Sequence, residues 1–262
     1  MRVHHLSCGT MYPPTMSEIV CHVLLCETDE GLALVDSGLG TFDFAQPGRM
    51  GPARFLLRPD RDDAKTALRQ VEAMGHSRED ITHIVLTHMD FDHIGGLSDF
   101  PAATVHTTAD EYAAAVTNPG IQEKPRYRKK QWAHGPRMQL HEGRGDEWKF
   151  GLTGHEVLPG VTMIPMPGHT LGHAAIAVDA GERGLLIHAG DAVFDGSLIA
   201  DTSPSGRPLA KIGQLRAFEM AMGRDRKAIR GNHQTLARLQ REDGVTVIPA
   251  HDKRIFDDLA GG

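Results

Sequence analysis

The segment 87–93, Thr-His-Met-Asp-Phe-Asp-His, holds the densest set of chemically capable side chains in the sequence. The apolar, β-branched run before it predicts a buried strand. Two imidazoles and two carboxylates at a strand end are too many polar groups to bury unpaired, and a bound cation is the simplest partner. His88 and Asp90 are two residues apart, so an extended backbone points both to one side. Asp92 and His93 lie past the strand end, where the turning chain can aim them at a second ion, so the segment predicts a two-metal site.

Three more apolar runs end in a side chain that can bind a metal. His169 follows the run 161–166, and Asp191 and His251 follow similar runs later in the chain. Strand ends are where a rigid sheet passes into functional loops. A single histidine at such a place is usually a packed core residue. Together with His88, these strand ends indicate one shared site.

An acidic residue, Asp36, also ends the apolar run 32–35 and precedes Ser-Gly-Leu-Gly. Two interpretations fit this spacing. The carboxylate can cap a turn, or it can anchor the ring of a ligand histidine. Spacing alone leaves both open.

These side chains require strands and helices that bring them together. A hairpin, a helix and a strand are predicted before the 87–93 segment, and a β-rich half is predicted after it. The predicted strands are 20–25, 32–35, 81–86, 104–106, 161–166, 174–178, 185–188 and 245–248, and the predicted helices are 63–74, 109–116, 209–222 and 227–240. The strand–helix–strand order favours a layered α/β arrangement, and nothing marks a boundary within residues 1–262.

Two stretches lack a regular pattern. Residues 41–63 are rich in Pro, Gly and Arg and are expected to pack over the mouth of the site. Residues 117–150 form a polar, loop-rich insertion, which in a compact domain is more often a lid or binding loop than filler. Its Tyr127, Trp132 and His134 either cover a substrate or fix the loop in place.

Composition narrows the class of protein. The 262 residues are 40% hydrophobic and 24% charged, with a net charge of −6, which is ordinary for a soluble enzyme acting on a small molecule. The acidic balance argues against a nucleic-acid partner, and no run reaches membrane-spanning length. Three cysteines without metal-type spacing and the absence of a signal-peptide pattern predict reduced thiols in a cytoplasmic protein.

The combined motifs resemble the metallo-β-lactamase-fold hydrolases. They are His-x-Asp-x-Asp-His at 88–93, Gly-His at 168–169, Gly-Asp at 190–191, Ala-His-Asp at 250–252 and the early Val-Asp-Ser-Gly at 35–38. The similarity runs from about residue 20 to residue 252 and is greatest to the branch that includes N-acylhomoserine lactonases. It implies an α/β fold of the four-layer αβ/βα sandwich type, with a dinuclear site at one edge of the two sheets.

The resemblance assigns a role to each motif residue. It implies that His88, Asp90 and His169 hold one metal, that Asp92, His93 and His251 hold the other, that Asp191 bridges, and that Asp36 supports a ligand from behind. Two divalent ions are expected, zinc first, with manganese or iron as alternatives at the His88/Asp90/His169 site. Asp92 and Asp191 are the predicted catalytic groups, either of which can pass a proton to the leaving alkoxide.

Two positions depart from the family pattern. Asp90 stands where the family usually has histidine, so three carboxylates and a bridging hydroxide contribute about −4 against about +4 from two divalent ions. A more neutral centre is a weaker Lewis acid, and oxygen ligation favours Mn or Fe more than imidazole does. Phe194 stands where acylhomoserine lactonases have a tyrosine that polarises the carbonyl. Phe lacks that donor, which Tyr127 or His134 would have to replace.

The expected reaction is attack of a metal-bridged hydroxide on the carbonyl of a lactone or small ester. A glyoxalase II-like thioester hydrolase is the first alternative, because it uses the same site. A di-iron oxidoreductase is the alternative from another class, because flavodiiron proteins also carry a carboxylate at the position of Asp90. The protein is expected to act as a monomer or homodimer, without a nucleic-acid or membrane partner.

Overall fold

The computed structural model describes residues 1–14, 16–121, 123–124 and 126–261. Two six-stranded sheets dominate it, one from each half of the chain. The first contains β1 (Arg2–Met11), β2 (Ile19–Thr28), β3 (Gly31–Val35), β4 (Ile81–Val85), β5 (Thr104–Thr108) and β6 (Arg137–His141) in sequence order. The second contains β7 (Asp146–Glu147), β8 (Thr153–Leu158), β9 (Val161–Pro165), β10 (Ala174–Asp179), β11 (Leu185–Gly190) and β12 (Val245–Pro249), with order β12-β11-β10-β9-β8-β7.

Strand directions change within each sheet. In the first sheet, β1, β2 and β3 pair antiparallel and β3 to β6 pair parallel. In the second sheet, β7 to β11 pair antiparallel and β12 lies parallel to β11. The helices are α1 (Thr41–Ala45), α2 (Ala53–Leu57), α3 (Ala67–Ala73), α4 (Phe91–Ile94), α5 (Ala109–Tyr112), α6 (Gly213–Met222), α7 (Arg226–Leu239) and α8 (Lys253–Ala260).

Strand β2 shows how the sequence encodes the layers. Its residues alternate between two faces of the sheet, yet both faces are apolar. Val23 and Leu25 pack on the outer side with α3, whereas Leu24 and Cys26 pack on the inner side against the second sheet. A strand covered on both faces reads as a continuous apolar run for this reason.

Three apolar layers therefore separate four layers of structure. The outer cluster of the first sheet includes Leu68 and Val71 of α3, the middle cluster joins the two sheets, and the outer cluster of the second sheet includes Leu236 and Leu239 of α7. This arrangement is the predicted four-layer αβ/βα sandwich, and the expectation for the fold is confirmed.

Backbone hydrogen bonds join the two sheets along one edge. Ala174 N, at the start of β10, donates to Thr87 O at 2.8 Å, just after β4. His22 N, in β2, donates to Ala250 O at 3.0 Å, just after β12. Because these bonds flank the segments that carry His88 and His251, they fix the separation of residues contributed by different sheets.

Several elements differ from the sequence predictions. Strand β1 was not predicted, because its apolar alternation is interrupted by polar residues. Residues 41–63 contain α1 and α2 instead of being irregular, and the helix predicted at 63–74 begins at Ala67, after a short 3-10 turn. The 117–150 insertion contains β6 and β7, so part of it completes the sheets. The largely exposed residues of β6 gave no apolar pattern to detect.

Two further expectations can be compared with the structure. Cys8, Cys21 and Cys26 are buried free thiols. Within the described ranges, no helix has the length and apolar character needed to cross a membrane.

Candidate metal centre

The segment after β4 and the loop after β9 form the first group of ligand atoms. Nε2 of His88 lies 3.4 Å from Oδ2 of Asp90, and Nε2 of His169 lies 3.1 Å from the same oxygen. Oδ2 of Asp191 lies 3.6 Å from His88 Nε2 and 3.2 Å from His169 Nε2. We call this group the first metal position.

The second group lies beside the first. Nε2 of His93 and Nε2 of His251 lie 3.3 Å and 3.2 Å from Oδ1 of Asp191. Asp92 Oδ2 lies 3.6 Å from His251 Nε2. We call this group, Asp92, His93 and His251 with Asp191 Oδ1, the second metal position. The two oxygens of Asp191 thus face different positions.

The spacing of these atoms fits bound metal ions. Bonds of about 2.0–2.2 Å in tetrahedral geometry leave ligand atoms roughly 3.3–3.6 Å apart, close to the 3.1–3.6 Å observed. His88 Nε2, His93 Nε2, Asp90 Oδ1 and Asp191 Oδ1 are buried and have no hydrogen-bond partner among the described residues. Buried polar atoms without a partner are costly, and divalent ions would satisfy them. The structure therefore contains two clusters of His and Asp residues suited to divalent metals.

The far nitrogens of His93, His251 and His88 are anchored, whereas Nδ1 of His169 has no hydrogen-bond partner among the described residues. His93 Nδ1 lies 2.8 Å from Asp36 Oδ2, and His251 Nδ1 lies 2.8 Å from the carbonyl of Val20. A carbonyl only accepts hydrogen bonds, so His251 must carry its proton on Nδ1, leaving Nε2 free for a metal. His88 Nδ1 lies 3.0 Å from Thr87 Oγ1, which in turn donates to Asp36. Such contacts fix ring orientation and tautomer.

Asp36 occupies an unusual backbone conformation. Its φ of 58° lies in the left-handed region, which is uncommon outside glycine. This turn places one carboxylate oxygen 2.8 Å from Thr87 N and the other 2.8 Å from both Thr87 Oγ1 and His93 Nδ1. The carboxylate thus contacts the ring of His93, and its role as the anchor of a metal ligand stays a prediction.

The glycine before Asp191 is required by close packing. Gly190 has φ of 51°, and a Cβ at this residue would lie 2.7 Å from Thr87 Cβ and 2.8 Å from His173 Nε2. A side chain here would push the end of β11 away from β4. His173 Nε2 also accepts a hydrogen bond from Asp191 N at 3.0 Å, so His173 supports the backbone that carries the shared carboxylate.

Electrostatics differ between the two positions. Burial disfavours a proton on His93, but the carboxylates of Asp191 and Asp36 outweigh it and raise the pKa of this ring well above its usual value. Burial, and then the nearby Arg126, lower the pKa of His169 to about 4 despite two adjacent carboxylates. Burial also opposes the charge on Asp90, yet Arg126 and His88 hold its pKa well below the usual range.

Arg126 is a residue of the centre that sequence reasoning missed. Its Nη1 donates to Asp90 Oδ2 at 2.6 Å and to His169 Nε2 at 2.8 Å, and its Nη2 donates to the carbonyl of Met222. Its side chain is 13% exposed. In the sequence it was one of several basic residues in the insertion, and no local pattern separated it from solvated surface.

Glu111, at the end of α5, is a second missed residue. One carboxylate oxygen accepts from Met89 N at 2.8 Å and from the Tyr127 hydroxyl at 3.0 Å. The other accepts from Thr170 Oγ1 at 2.6 Å and Gly172 N at 3.2 Å. These partners lie beside His88, His169 and Arg126 in the chain, so one buried carboxylate ties together the segments of the first metal position.

An open pocket lies over both positions. Its empty volume is about 570 Å³, including its open mouth, and it is bordered by Asp90, Asp92, His169, Asp191 and His251. Its other walls are mostly apolar, with two arginines: Ile19, Ala53, Leu56, Leu57, Phe91, Phe194, Phe218, Met222, Arg126 and Arg128. The ring of Phe194 lies 5.7 Å from that of His169 and 5.0 Å from that of His251. The pocket can therefore hold an apolar group next to the metal-binding atoms.

The three candidate substrate residues of the insertion lie elsewhere. The Tyr127 side chain is buried, with its hydroxyl on Glu111. Trp132 packs at the edge of the outer cluster of the first sheet, and His134 Nδ1 lies 3.3 Å from Ser98 Oγ. These contacts attach the insertion to the sheet, and a substrate role for the three side chains stays a prediction.

The sequence is similar to those of known metallo-hydrolases and lactonases. The model of the Metallo-beta-lactamase superfamily matches residues 17–251. A probable metallo-hydrolase of Mycobacterium tuberculosis, Rv2300c, is 44% identical over 262 residues, which covers 98% of this chain and 82% of that protein. An N-acyl homoserine lactonase of Bacillus cereus is 26% identical over 252 residues, covering 93% of this chain and 91% of that protein.

A solved structure has the same architecture. A mutant of B. thuringiensis AiiA, with N-decanoyl-L-homoserine bound at its active site, aligns with a TM-score of 0.70 and 19% identity over 97% of this chain and 94% of that chain. At this identity the likeness concerns the fold alone.

Proposed function

Since the chain belongs to the metallo-beta-lactamase superfamily and is a metal-dependent hydrolase, we propose that it uses two divalent ions to hydrolyse a lactone or small ester. The observation that carries the proposal is the shared carboxylate, Asp191, whose two oxygens face separate groups of buried ligand atoms. The apolar pocket over these groups supports a substrate with an apolar part, such as an acyl chain.

In this proposal each position has its own ligands. The first ion would be held by His88, Asp90 and His169, and the second by Asp92, His93 and His251, with Asp191 shared. When bound, two such ions polarise the substrate carbonyl and activate a water molecule as the nucleophile. Zinc is our first choice, with manganese or iron at the first position because of its additional carboxylate.

The protein's own side chains orient the substrate and move a proton. Phe194, Phe218 and the apolar residues of α2 exclude water from one side of the substrate. Asp92 is the proposed proton carrier, because it borders the pocket: it would take up the proton released by the attacking water and pass it to the leaving alkoxide. Asp191 is suited to remain ionised, because the surrounding imidazoles outweigh its burial and hold its pKa well below the usual range.

A substrate panel tests the proposal. The purified protein is stripped of metal, reconstituted separately with Zn, Mn and Fe, and assayed on lactones, alkyl esters and thioesters. We expect metal-dependent hydrolysis of a lactone or ester. Hydrolysis of thioesters alone would favour the glyoxalase II-like alternative. Oxygen consumption by the iron form without any hydrolysis would favour the oxidoreductase.

A pair of aromatic substitutions sharpens the substrate class. Phe194→Tyr adds a hydroxyl beside both metal positions, and Phe218→Tyr adds one to another wall of the same pocket. If a lactone carbonyl is the reacting group, Phe194→Tyr is expected to raise kcat by roughly tenfold or more, since a well-placed donor typically contributes ~10²-fold. Phe218→Tyr is the matched control and should leave kcat nearly unchanged. Equal effects would argue against a lactone carbonyl near Phe194.

Metal content tests the assignment of the first position. Protein produced without added zinc is analysed for its elements. We expect manganese or iron together with zinc, because the first position offers two carboxylates and two imidazoles. A clean content of two zinc ions per chain would contradict this assignment but leave the hydrolase proposal intact.

A further inference from the structure

Arg126 links the 117–150 insertion to the first metal position. Its guanidinium contacts Asp90 Oδ2 at 2.6 Å and His169 Nε2 at 2.8 Å on one side, and the carbonyl of Met222 at the end of α6 on the other. Next along the chain, the Tyr127 hydroxyl is fixed to the buried Glu111. The arginine is therefore held in place by several elements at once.

The bond to His169 conflicts with metal binding. A neutral imidazole has one lone pair, on the nitrogen that lacks a proton. An N–H of Arg126 points at Nε2 of His169, so this lone pair accepts a hydrogen bond and cannot be donated to a metal at the same time. A carboxylate has several lone pairs, so Asp90 can bind a metal and keep Arg126. Loading of the first position thus requires Arg126 to release His169.

Charge acts in the same direction. A guanidinium carries a full positive charge at any ordinary pH, and in a partly buried site this charge repels an incoming divalent ion strongly. The same charge compensates Asp90, which is an additional carboxylate relative to the usual family pattern. Asp90 and Arg126 together contribute no net charge, as a neutral histidine would.

The second metal position has no such competitor. His93 Nε2 has no hydrogen-bond partner among the described residues, and its other nitrogen is fixed by Asp36. His251 Nε2 faces only carboxylates, Asp191 and Asp92, in the ion pairs of this ring. Within the described part of the chain, Arg126 is ion-paired with Asp90 and not with Asp191. Its contacts with metal-binding side chains therefore involve only Asp90 and His169, in the first position.

We propose that Arg126 is a positioning residue that holds Asp90 and His169 together and competes with the metal there, so that the second position fills before the first. This inference rests on the proposed two-metal function. The arginine does not touch the reacting atoms. It sets how many ions are bound at a given metal concentration, and releasing its bond to His169 is a required step of loading.

Metal titration tests this order without an activity assay. Metal-free protein is titrated with Co²⁺ or Zn²⁺ by calorimetry, with visible absorption as a second signal for cobalt. We expect two binding events of unequal affinity. In His169→Ala the weaker event should be lost and the tighter one kept, whereas His251→Ala should lose the tighter event. The reverse assignment would overturn the proposal.

Substitution of the arginine gives the decisive comparison. Arg126→Gln removes the charge and the bond to His169, and is expected to tighten the weaker event by about tenfold or more, since a nearby like charge costs at least this much in a partly buried site. The tighter event should change by less than about threefold. Arg128→Gln is the matched control, because Arg128 lines the same pocket but donates to the carbonyl of Met50 instead of a ligand. It should tighten the weaker event by less than Arg126→Gln does, because its charge acts on Asp90 without a hydrogen bond to a metal-binding side chain.

A third variant keeps the test decisive if Arg126→Gln does not fold. Arg126→Lys keeps the charge, but its single ammonium cannot bond Asp90, His169 and Met222 O in the same geometry. We expect a smaller tightening of the weaker event. Unchanged or weaker binding of the second equivalent in either Arg126 variant would overturn the proposal. If binding behaves as expected but no lactone or ester is hydrolysed, the loading order stands and the proposed function is wrong.

Discussion

The two metal positions share one carboxylate but differ in what surrounds them. The first faces the pocket and the insertion, and Arg126 occupies its edge. The second is supported from behind by Asp36 and by the carbonyl of Val20 in β2. A positive charge therefore lies next to one set of ligands, and negative and neutral acceptors lie behind the other.

The histidines of the two positions therefore differ in their pKa, although the sequence motif gives both positions the same ligand types. At the second position, the carboxylates of Asp191 and Asp36 outweigh burial and raise the pKa of His93 well above its usual value. At the first position, burial and Arg126 lower the pKa of His169 to about 4, so the competitor is the arginine. The same ligand types thus have opposite electrostatic surroundings in the two positions.

Removal of the shared carboxylate should weaken metal binding at both positions and so remove the difference between them. Asp191→Ala takes one oxygen from each position, so we expect both binding events to weaken and hydrolysis to fall by roughly 10³-fold or more, beyond the 10–100-fold typical of outer supporting residues. Metal titration and the substrate panel measure this. Asp243→Ala, at an exposed residue, is the control. A variant that retained one event at full affinity would show that Asp191 is not shared.

Removal of the support behind His93 should affect the positions unequally. In Asp36→Asn, an amide NH₂ must face Thr87 or His93, both of which donate to this carboxylate. We expect a loss of about 10–100-fold in affinity at the second position. The first position should lose less, because His88 reaches Asp36 only through Thr87 Oγ1. An equal or larger loss at the first position would contradict the comparison.

The counterpart at the first position is Glu111. In Glu111→Gln, an NH₂ group replaces one of the two carboxylate oxygens. The lost oxygen accepts hydrogen bonds either from Met89 N and the Tyr127 hydroxyl or from Thr170 Oγ1 and Gly172 N, so two donors lose their acceptor. We expect the free energy of unfolding to fall by about 1–3 kcal/mol. Affinity at the first position should fall by roughly tenfold, the lower end of such effects. Denaturant unfolding and metal titration measure the two, and the exposed Glu142→Gln is the control. An unchanged first position would mean that Glu111 serves stability alone.

Sequence reasoning reached the ligand side chains more easily than their surroundings. His88, His169, Asp191 and His251 each follow an apolar strand, and strand ends meet at one edge of a layered fold, so a local pattern carried the information. The same strands and the helices between them favoured a layered α/β arrangement, whereas the four-layer sandwich was implied by the family resemblance. These four residues come together in the structure because the strand ends of the two sheets lie along the same edge.

Arg126 and Glu111 lacked such a local pattern. Arg126 lies in a polar segment whose path is set by its anchors, and Glu111 looked like an ordinary acid in the first turn of a helix. Each acts through contacts with residues far away in the sequence. Arg126, for example, contacts Asp90 and His169, which are 36 and 43 positions away. Edge strand β6 was missed for a related reason, since an exposed strand needs no apolar pattern. Strand β1 was missed because polar residues interrupt its alternation.

The smallest expected effect concerns folding stability at acid pH. If the protein unfolds there, metal binding at the two positions can no longer be compared. His106 lies in β5 between His83 and His141, with ring nitrogens 2.9 Å and 3.2 Å apart. Burial, and then the neighbouring histidines, lower its pKa to about 4. In the unfolded chain this ring titrates near 6.5, so between about 6.5 and about 4 the unfolded state binds more protons, and stability falls as the pH falls.

Replacement of His106 should make this dependence shallower. One proton taken up on unfolding changes stability by up to about 1.4 kcal/mol per pH unit, so metal-free His106→Gln should lose Tm less steeply than the metal-free wild type between pH 6.5 and 4. Thermal unfolding across this range measures the difference, with a chelator present so that metal release does not contribute. Parallel curves would show that His106 is not the source. In that case acid-induced loss of metal from the two positions could be compared without a correction for this residue.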